Sequence, residues 1–302
     1  MRNPTSGGRG AAGEERSAMD QPPAQPPVPP PPPPPPGGPA IPQRSLGEIL
    51  GDAFRLYGQH WQTFVTIAAV VIVPVAFVEA FVTHWLTKSV TKSVAVINQT
   101  TGTITYAQAS GTAYRGLLAG LVLVFLSLFV YGLLTGAITR AVLSEAAGLP
   151  VDLGDSYTFA LSRVGSIIWV SILVGLTIAV GFILFVIPGI WFIGMLFASV
   201  IVIVAENVRG TSAMGRSWNL VKGSWWHTFG TLFVAFLLVG VVNSIIQAPF
   251  RQWVARAIAS AIAQMITLPF STTVGVLLYI DLRARKEALS ADRLRADLQM
   301  SA

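Results

Sequence analysis

Residues 165–206 read GSIIWVSILVGLTIAVGFILFVIPGIWFIGMLFASVIVIVAE, and no charged side chain appears before the terminal Glu206. A single helix of this length would overshoot a hydrocarbon core that about 20 apolar residues already cross. Pro188-Gly189 supplies a turn, so the stretch predicts two spans, 165–187 and 188–206, folded as a tight hairpin. Backbone groups inside lipid must bond within their own segment or close into a barrel. The run is continuously apolar rather than alternating, so it predicts helices.

Outward from this block, further stretches of spanning length lie at 61–83, 116–138, 229–249 and 259–281. The predicted fold class is all-α, a polytopic membrane protein with six transmembrane helices. Composition agrees. The chain has 302 residues, 53% of them hydrophobic and 11% charged, against roughly 25% charged in soluble domains. A soluble globular enzyme is excluded. There is no cysteine, which removes disulfides, thiol nucleophiles and Cys-ligated metal sites. No cofactor is expected.

Residues 1–44 hold 15 of the 20 prolines, including the unbroken run Pro29–Pro36. Proline fixes φ and donates no amide hydrogen bond, so the run reads as polyproline II or turn. A secretory signal would need an apolar segment here, and none is present. The chain therefore divides into a disordered proline-rich arm over 1–44, a six-helix membrane domain over 45–288 and a polar tail over 289–302. The arm is a spacer or a ligand for a proline-reading protein partner.

Basic residues set the orientation. With the N-terminus inside, the inner side holds Arg2, Arg9, Arg16, Arg44, Arg55, Arg140, Arg163, Arg209, Arg216, Lys222, Arg283, Arg285, Lys286, Arg293 and Arg295. The outer side holds Lys88, Lys92, Arg115, Arg251 and Arg256. This bias predicts a multi-pass protein of the bacterial plasma membrane with N- and C-termini cytoplasmic. Trp61, Trp225, Trp226 and Tyr279 then fall at the inner interface, Trp85 and Trp253 at the outer one.

Short amphipathic helices precede the span pairs. The first opens at Ser45, with Glu48 three residues on as a capping box. Its expected apolar face is Leu46, Leu50, Phe54 and Tyr57, with Glu48, Asp52 and Arg55 facing away. Another opens at Thr211 or Ser212, with Met214, Trp218, Val221 and Trp225 on one face and Arg216, Asn219 and Lys222 on the other. A shift of 164 residues matches Gly51 to Gly215, Phe54 to Trp218, Leu56 to Leu220 and Trp61 to Trp225. A fainter copy places Phe159 and Leu161 ahead of the third span. The pattern predicts three repeats of interfacial helix plus transmembrane hairpin.

The candidate lipid-headgroup contacts are Arg216, Lys222, Trp218 and Trp225, basic and aromatic side chains on a helix expected in the headgroup plane. Glu79 is the one ionisable residue clearly within a predicted span. It reads as an outer-leaflet carboxylate paired with Lys88 or Arg251, or as a relay. The last span carries Ser260, Gln264, Thr267 and Ser271 at 4-3-4 spacing beside Pro269, with Asn243 and Ser244 able to face them. The stripe supplies interhelical hydrogen bonds, or else lines a groove. His60, His84 and His227 sit at span ends without ligand spacing, so no metal site is expected. Asp281 and Arg285, and Arg293 and Asp297, stand at i, i+4, and carry the last helix into a solvated tail.

Three stretches together resemble a known family: LGEILGDAFRLYGQHWQTF at 46–64, GRSWNLVKGSWW at 215–226 and LLYIDLRARKEA at 277–288. They are similar to the membrane domain attached to some bacterial glycerophosphoryl diester phosphodiesterases, which also stands alone in actinobacterial membrane proteins. Ala288 and Leu289 depart from the glycine and aromatic residue that usually follow the last motif. The family's phosphodiesterase activity resides in a soluble barrel of about 250 residues, and no such segment lies outside 45–288. The resemblance thus implies the membrane part without the hydrolase. A non-enzymatic scaffold or anchor is expected, with membrane lipids as partners and no nucleic acid. The alternative is a transporter or lipid-handling protein with its groove between the fifth and sixth spans.

Overall fold

The computed structural model describes residues 40–90, 93–97, 104–108, 113–250 and 252–301. Its elements are α1 (Leu46–Val90), β1 (Ser93–Ile97), β2 (Ile104–Gln108), α2 (Ala113–Ala146), α3 (Leu153–Leu184), α4 (Val186–Leu196), α5 (Ser199–Glu206), α6 (Thr211–Val221), α7 (Trp225–Gln247), α8 (Trp253–Glu287) and α9 (Ala291–Ser301). Among the described residues six helical segments are long and apolar enough to cross a membrane: Leu46–Val78, Leu123–Ala146, Leu153–Leu184, Val186–Glu206, Trp225–Gln247 and Val254–Glu287. The chain is an all-α multi-pass membrane protein. A short antiparallel ribbon, Ser93 opposite Gln108 through Ile97 opposite Ile104, joins the first two spans.

Residues of opposite solvent preference sort as a bilayer requires. Phe77, Phe125, Ile183, Phe185, Ile187, Phe236 and Ile245 are large, apolar and exposed, which suits lipid rather than water. The core holds Phe64, Ile67, Ile138, Leu143, Ile167, Ile203, Leu220 and Leu278. Gly136 lets α2 approach α3 closely: a Cβ there would lie 2.9 Å from the Ile167 side chain and 3.2 Å from that of Ala160.

The hairpin of the long apolar block turns at Phe185 (φ −163°, ψ 156°), three residues before Pro188. Pro188 sits in the first turn of α4, where a missing amide hydrogen costs nothing. The glycines beside it allow the crossing. A Cβ on Gly189 would meet the Phe182 ring at 2.5 Å, and one on Gly181 would meet Gly189 Cα at 3.0 Å. The fourth span is itself broken at Phe197-Ala198. There Ser217 of α6 donates to the Met195 carbonyl (2.9 Å) and accepts from the Ala198 amide (3.2 Å), satisfying groups freed by the break.

α1 opens with the capping box the sequence predicts: the Ser45 amide donates to Glu48 Oε2 (2.7 Å) and the Glu48 amide to Ser45 Oγ (3.3 Å). The expected faces of the short helices hold in part: Val221 is buried and Leu50, Tyr57, Met214, Trp218 and Trp225 pack partly buried against the core, but the most buried positions are centred one residue away. Ile49 and Ala53 are fully buried while Phe54 is 54% exposed. In α6 the buried residues are Ala213, Ser217, Leu220 and Val221. α1 is bent at His60 (φ −123°, ψ 22°), and Ser224, before α7, has φ −124° and ψ 23°. α3 has no such break; Asp152 caps it and it runs unbroken to Leu184.

Two expected boundaries move. The Ile41 amide donates to the Leu289 carbonyl (2.7 Å), and Ala40 bridges Ser290, so residues 40–44 join the membrane domain rather than the arm. The tail is solvated on one face only: Leu289, Leu294 and Leu298 are buried in the main core, while Arg293, Arg295 and Gln299 are exposed. These leucines hold no heptad, but helical spacing puts Leu294 and Leu298 on one face of α9. Pro29–Pro36 lies outside the described residues.

Candidate functional site: the charged end of the bundle

Alternating spans bring the start of α1, the end of α2, the start of α3, the end of α5, α6, the start of α7 and the end of α8 to one end of the molecule. Among the described residues the ion pairs gather there. Asp281 is the most enclosed, its side chain fully buried. It accepts from the Arg44 amide (2.7 Å) and Arg285 Nε (2.6 Å), and lies 3.1 Å from His227 Nε2. One carboxylate thus holds the segment before α1, α7 and α8 together. Arg285 also donates to the Arg44 carbonyl (2.5 Å).

One turn away on α8 a second network faces α5, α6 and α9. Arg216 Nε donates to Glu206 Oε2 (2.7 Å) and its Nη2 to Glu206 Oε1 (3.0 Å), a bidentate pair. The same guanidinium pairs with Glu287. Tyr279 is buried and donates to Glu206 Oε1 (2.7 Å). Arg283 reaches Glu287 (3.1 Å) and Asp297 (2.9 Å). Burial alone would lower the Arg216 pKa, but Glu206 and Glu287 outweigh it and hold the group above its usual value. Glu206, Arg216, Arg283, Glu287 and Asp297, with Asn207 and Arg293, line a polar cavity of about 330 Å³.

A third set joins α1, α2 and α3. His60 lies 3.0 Å from Glu145, and Arg140 lies 3.6 Å from Asp155 while donating to the Leu298 carbonyl (3.1 Å). Among the described residues no group of three or more His, Cys, Asp or Glu side chains could hold a metal ion.

The expected headgroup residues separate. Arg216 is occupied by two protein carboxylates, so it is not a free cation for lipid. Lys222 is exposed at the turn after α6, where its carbonyl accepts from Lys286 Nζ (2.5 Å). Trp218 packs edge-on against Trp191, ring centres 4.8 Å apart. Trp225 donates to the Trp191 carbonyl (3.2 Å) and seats over Gly194. Trp61 and Trp226 are exposed as an interfacial belt requires, whereas Tyr279 is internal. The side chains of Trp85 and Trp253 lie outside the described residues.

The polar stripe bonds mainly to its own helix. Thr267 is buried and donates to the Ala263 carbonyl (2.8 Å), Ser271 to Leu268 (2.9 Å), and Gln264 to Ser260 (3.3 Å). Asn243 donates to Val239 (2.9 Å) and to Thr267 Oγ1 (3.4 Å), which links α7 to α8. A separate polar recess, lined by Asn243, Ser244, Gln247 and Arg256, lies toward the opposite end. The Glu79 side chain is outside the described residues.

Sequence reading missed Glu206, Tyr279 and Ser217 as partners. Glu206 carried a signal, since it ends the charge-free run from residue 164. Asp281 with Arg285 was readable from spacing. Arg283 with Asp297 was not, because it displaces the expected Arg293–Asp297 pair. Compared with known proteins, the chain matches no family model, no curated protein and no solved structure.

Proposed function

We propose that the chain is a non-enzymatic scaffold or anchor of the bacterial plasma membrane, with both termini cytoplasmic and membrane lipids as its surroundings and partners. The observation that carries this reading is the self-satisfied charged end: Glu206, Arg216, Arg283, Glu287 and Asp297 are committed to one another. Such a network rigidifies the junction of four elements, α5, α6, α8 and α9, as a platform needs. The likeness of 46–64, 215–226 and 277–288 to the phosphodiesterase-associated membrane domain supports a lipid-related setting. The proline-rich arm is the segment for recruiting a protein partner.

The first and third units form an internal repeat on this reading. The 164-residue shift takes buried Ala53 to buried Ser217 and takes His60 to Ser224, whose backbone angles agree within 1°. The middle unit lacks the break and supports the threefold pattern less.

The transport alternative draws on the recess beside Asn243 and Arg256. Between that recess and the charged end, Thr228, Thr231 and Ala235 are buried, which favours the scaffold. Reconstitution of the full chain decides between them. Vesicles containing it should move lipids and small ions no faster than empty ones, and in-cell crosslinks should diminish when residues 1–39 are deleted. Flux that exceeds empty vesicles and falls in Asn243→Ala would reverse the assignment.

A further inference from the structure

Among the ion networks of the charged end, one arginine stands apart. Arg163 lies on α3 one turn before Ser166, and its guanidinium carbon sits 5.8 Å from the centre of the Phe159 ring. Its Nε and Nη1 are buried and donate to no acceptor among the described residues. Orphaned buried donors of a charged group are costly and call for a partner. Carboxylates on the same helix and just before the 207–210 loop are engaged elsewhere: Asp155 with Arg140 (3.6 Å), and Glu206 with Arg216 (2.7 Å).

The segment facing Arg163 adds charge of the same sign. The Gly210 amide donates to Ser166 Oγ (3.3 Å), which holds the 207–210 loop against α3. Arg209 in that loop is exposed, and its positive charge acts on Arg163. Gly210 is the N-cap of α6 and brings no side chain to the cap, so the positive end of that helix adds to the field. Two guanidiniums suit an oxyanion: exposed Arg209 can grip it through paired N–H donors, and Arg163, whose Nε and Nη1 are enclosed, through its remaining Nη2. Both lie where charged side chains leave the hydrocarbon, α3 running about 30 Å onward from Arg163 to Leu184 at 1.5 Å per residue.

We infer that Arg163 and Arg209 form a phosphate-binding site at the charged end, occupied by the phosphate of an anionic lipid headgroup or by free phosphate. The site deepens the proposed partnership with membrane lipids and rests on that reading for its setting, but not on the scaffold role. It differs from the headgroup contacts the sequence suggested, because Arg216 is neutralised by Glu206 and Glu287.

Native mass spectrometry of the full chain tests it, after release from nanodiscs of phosphatidylcholine with or without phosphatidic acid. The wild-type chain should retain phosphatidic acid. A basic residue near an anionic surface contributes about fivefold in affinity, so Arg209→Gln should weaken retention about fivefold and the double variant Arg163→Gln/Arg209→Gln about 25-fold. A variant that removes the same charge elsewhere at this end, Arg55→Gln/Arg293→Gln, should change it less than twofold. Arg163→Lys/Arg209→Lys keeps the charge but loses the paired donors, and should fall between. In phosphatidylcholine alone, inorganic phosphate that binds the wild type and not the double variant identifies free phosphate as the ligand. Equal losses in the charge-matched variants would overturn the site, as would a wild type retaining neither anion. Should the double variant fail to fold, the exposed Arg209→Gln alone still decides. A transport result in vesicles leaves this comparison untouched, so the two readings fail separately.

Discussion

At the residue scale, burial decides what a charge is worth. Asp281 and Asp52 both accept from arginine, yet the first is fully enclosed and the second is 26% exposed. Removing one partner of a buried, hydrogen-bonded pair costs roughly 3–5 kcal/mol, because the other is left unpaired without water. A surface pair contributes at most about 1 kcal/mol. Asp281→Asn should therefore lower stability by about 3 kcal/mol, and Asp52→Asn by less than about 1 kcal/mol. Thermal unfolding in mild detergent, followed by tryptophan fluorescence, measures both; equal shifts would show that Asp281 is not a hub. Tyr279→Phe removes the bond to Glu206 while keeping the ring. The expected loss is about 1–2 kcal/mol. These roles were only partly legible. Asp281 and Arg285 are four apart, so helical spacing announced them, but Glu206 and Tyr279 are 73 residues apart. No local pattern links them; only the antiparallel return of the spans does.

At the element scale, spans were legible because lipid imposes a length and an apolar surface that sequence shows directly. Turn geometry was less so. Pro188-Gly189 marked the hairpin, but the chain reverses at Phe185 because proline is better accommodated in a first helical turn than at the reversal. The glycines show what the turn needs. Gly181→Ala would force a methyl against Gly189 backbone and the Phe192 ring, 3.0 and 2.8 Å away. Overpacking of this kind costs about 1–3 kcal/mol. Gly175, nearly two turns earlier on the same helix, has nothing within 4 Å of where a methyl group would sit, and Gly175→Ala should change stability by less than about 1 kcal/mol. Unfolding midpoints of the two variants separate a tight crossing from a general intolerance of α3 to side chains. The faces of the short helices were only partly legible for a related reason. Periodicity gave the helix and its capping box, but Phe54 and Trp218 attracted the apolar face because they are large. The small residues Ala53 and Ser217 face inward, and Ser217 bonds there to Met195 and Ala198 of the fourth span.

At the scale of the whole molecule, the two ends of the membrane domain meet. Ile41 bonds to Leu289 and Ala40 bridges Ser290, so the segments entering the first span and leaving the sixth share one side. That contact requires an even number of crossings, the same number that apolar length gives. Charge bias then chooses the side. The absence of cysteine makes the threading directly measurable, since any introduced thiol is unique. Gln43→Cys and Gln299→Cys, both at exposed positions, should resist a membrane-impermeant maleimide on intact cells and react once the cells are permeabilised. Asn98→Cys, between the first two spans, should react without permeabilisation. If all three reverse together, the fold stands and the orientation drawn from arginine and lysine fails. If Gln43→Cys and Gln299→Cys label from opposite sides, the joined ends and the six-span bundle fail with them, because no even-numbered threading permits that result.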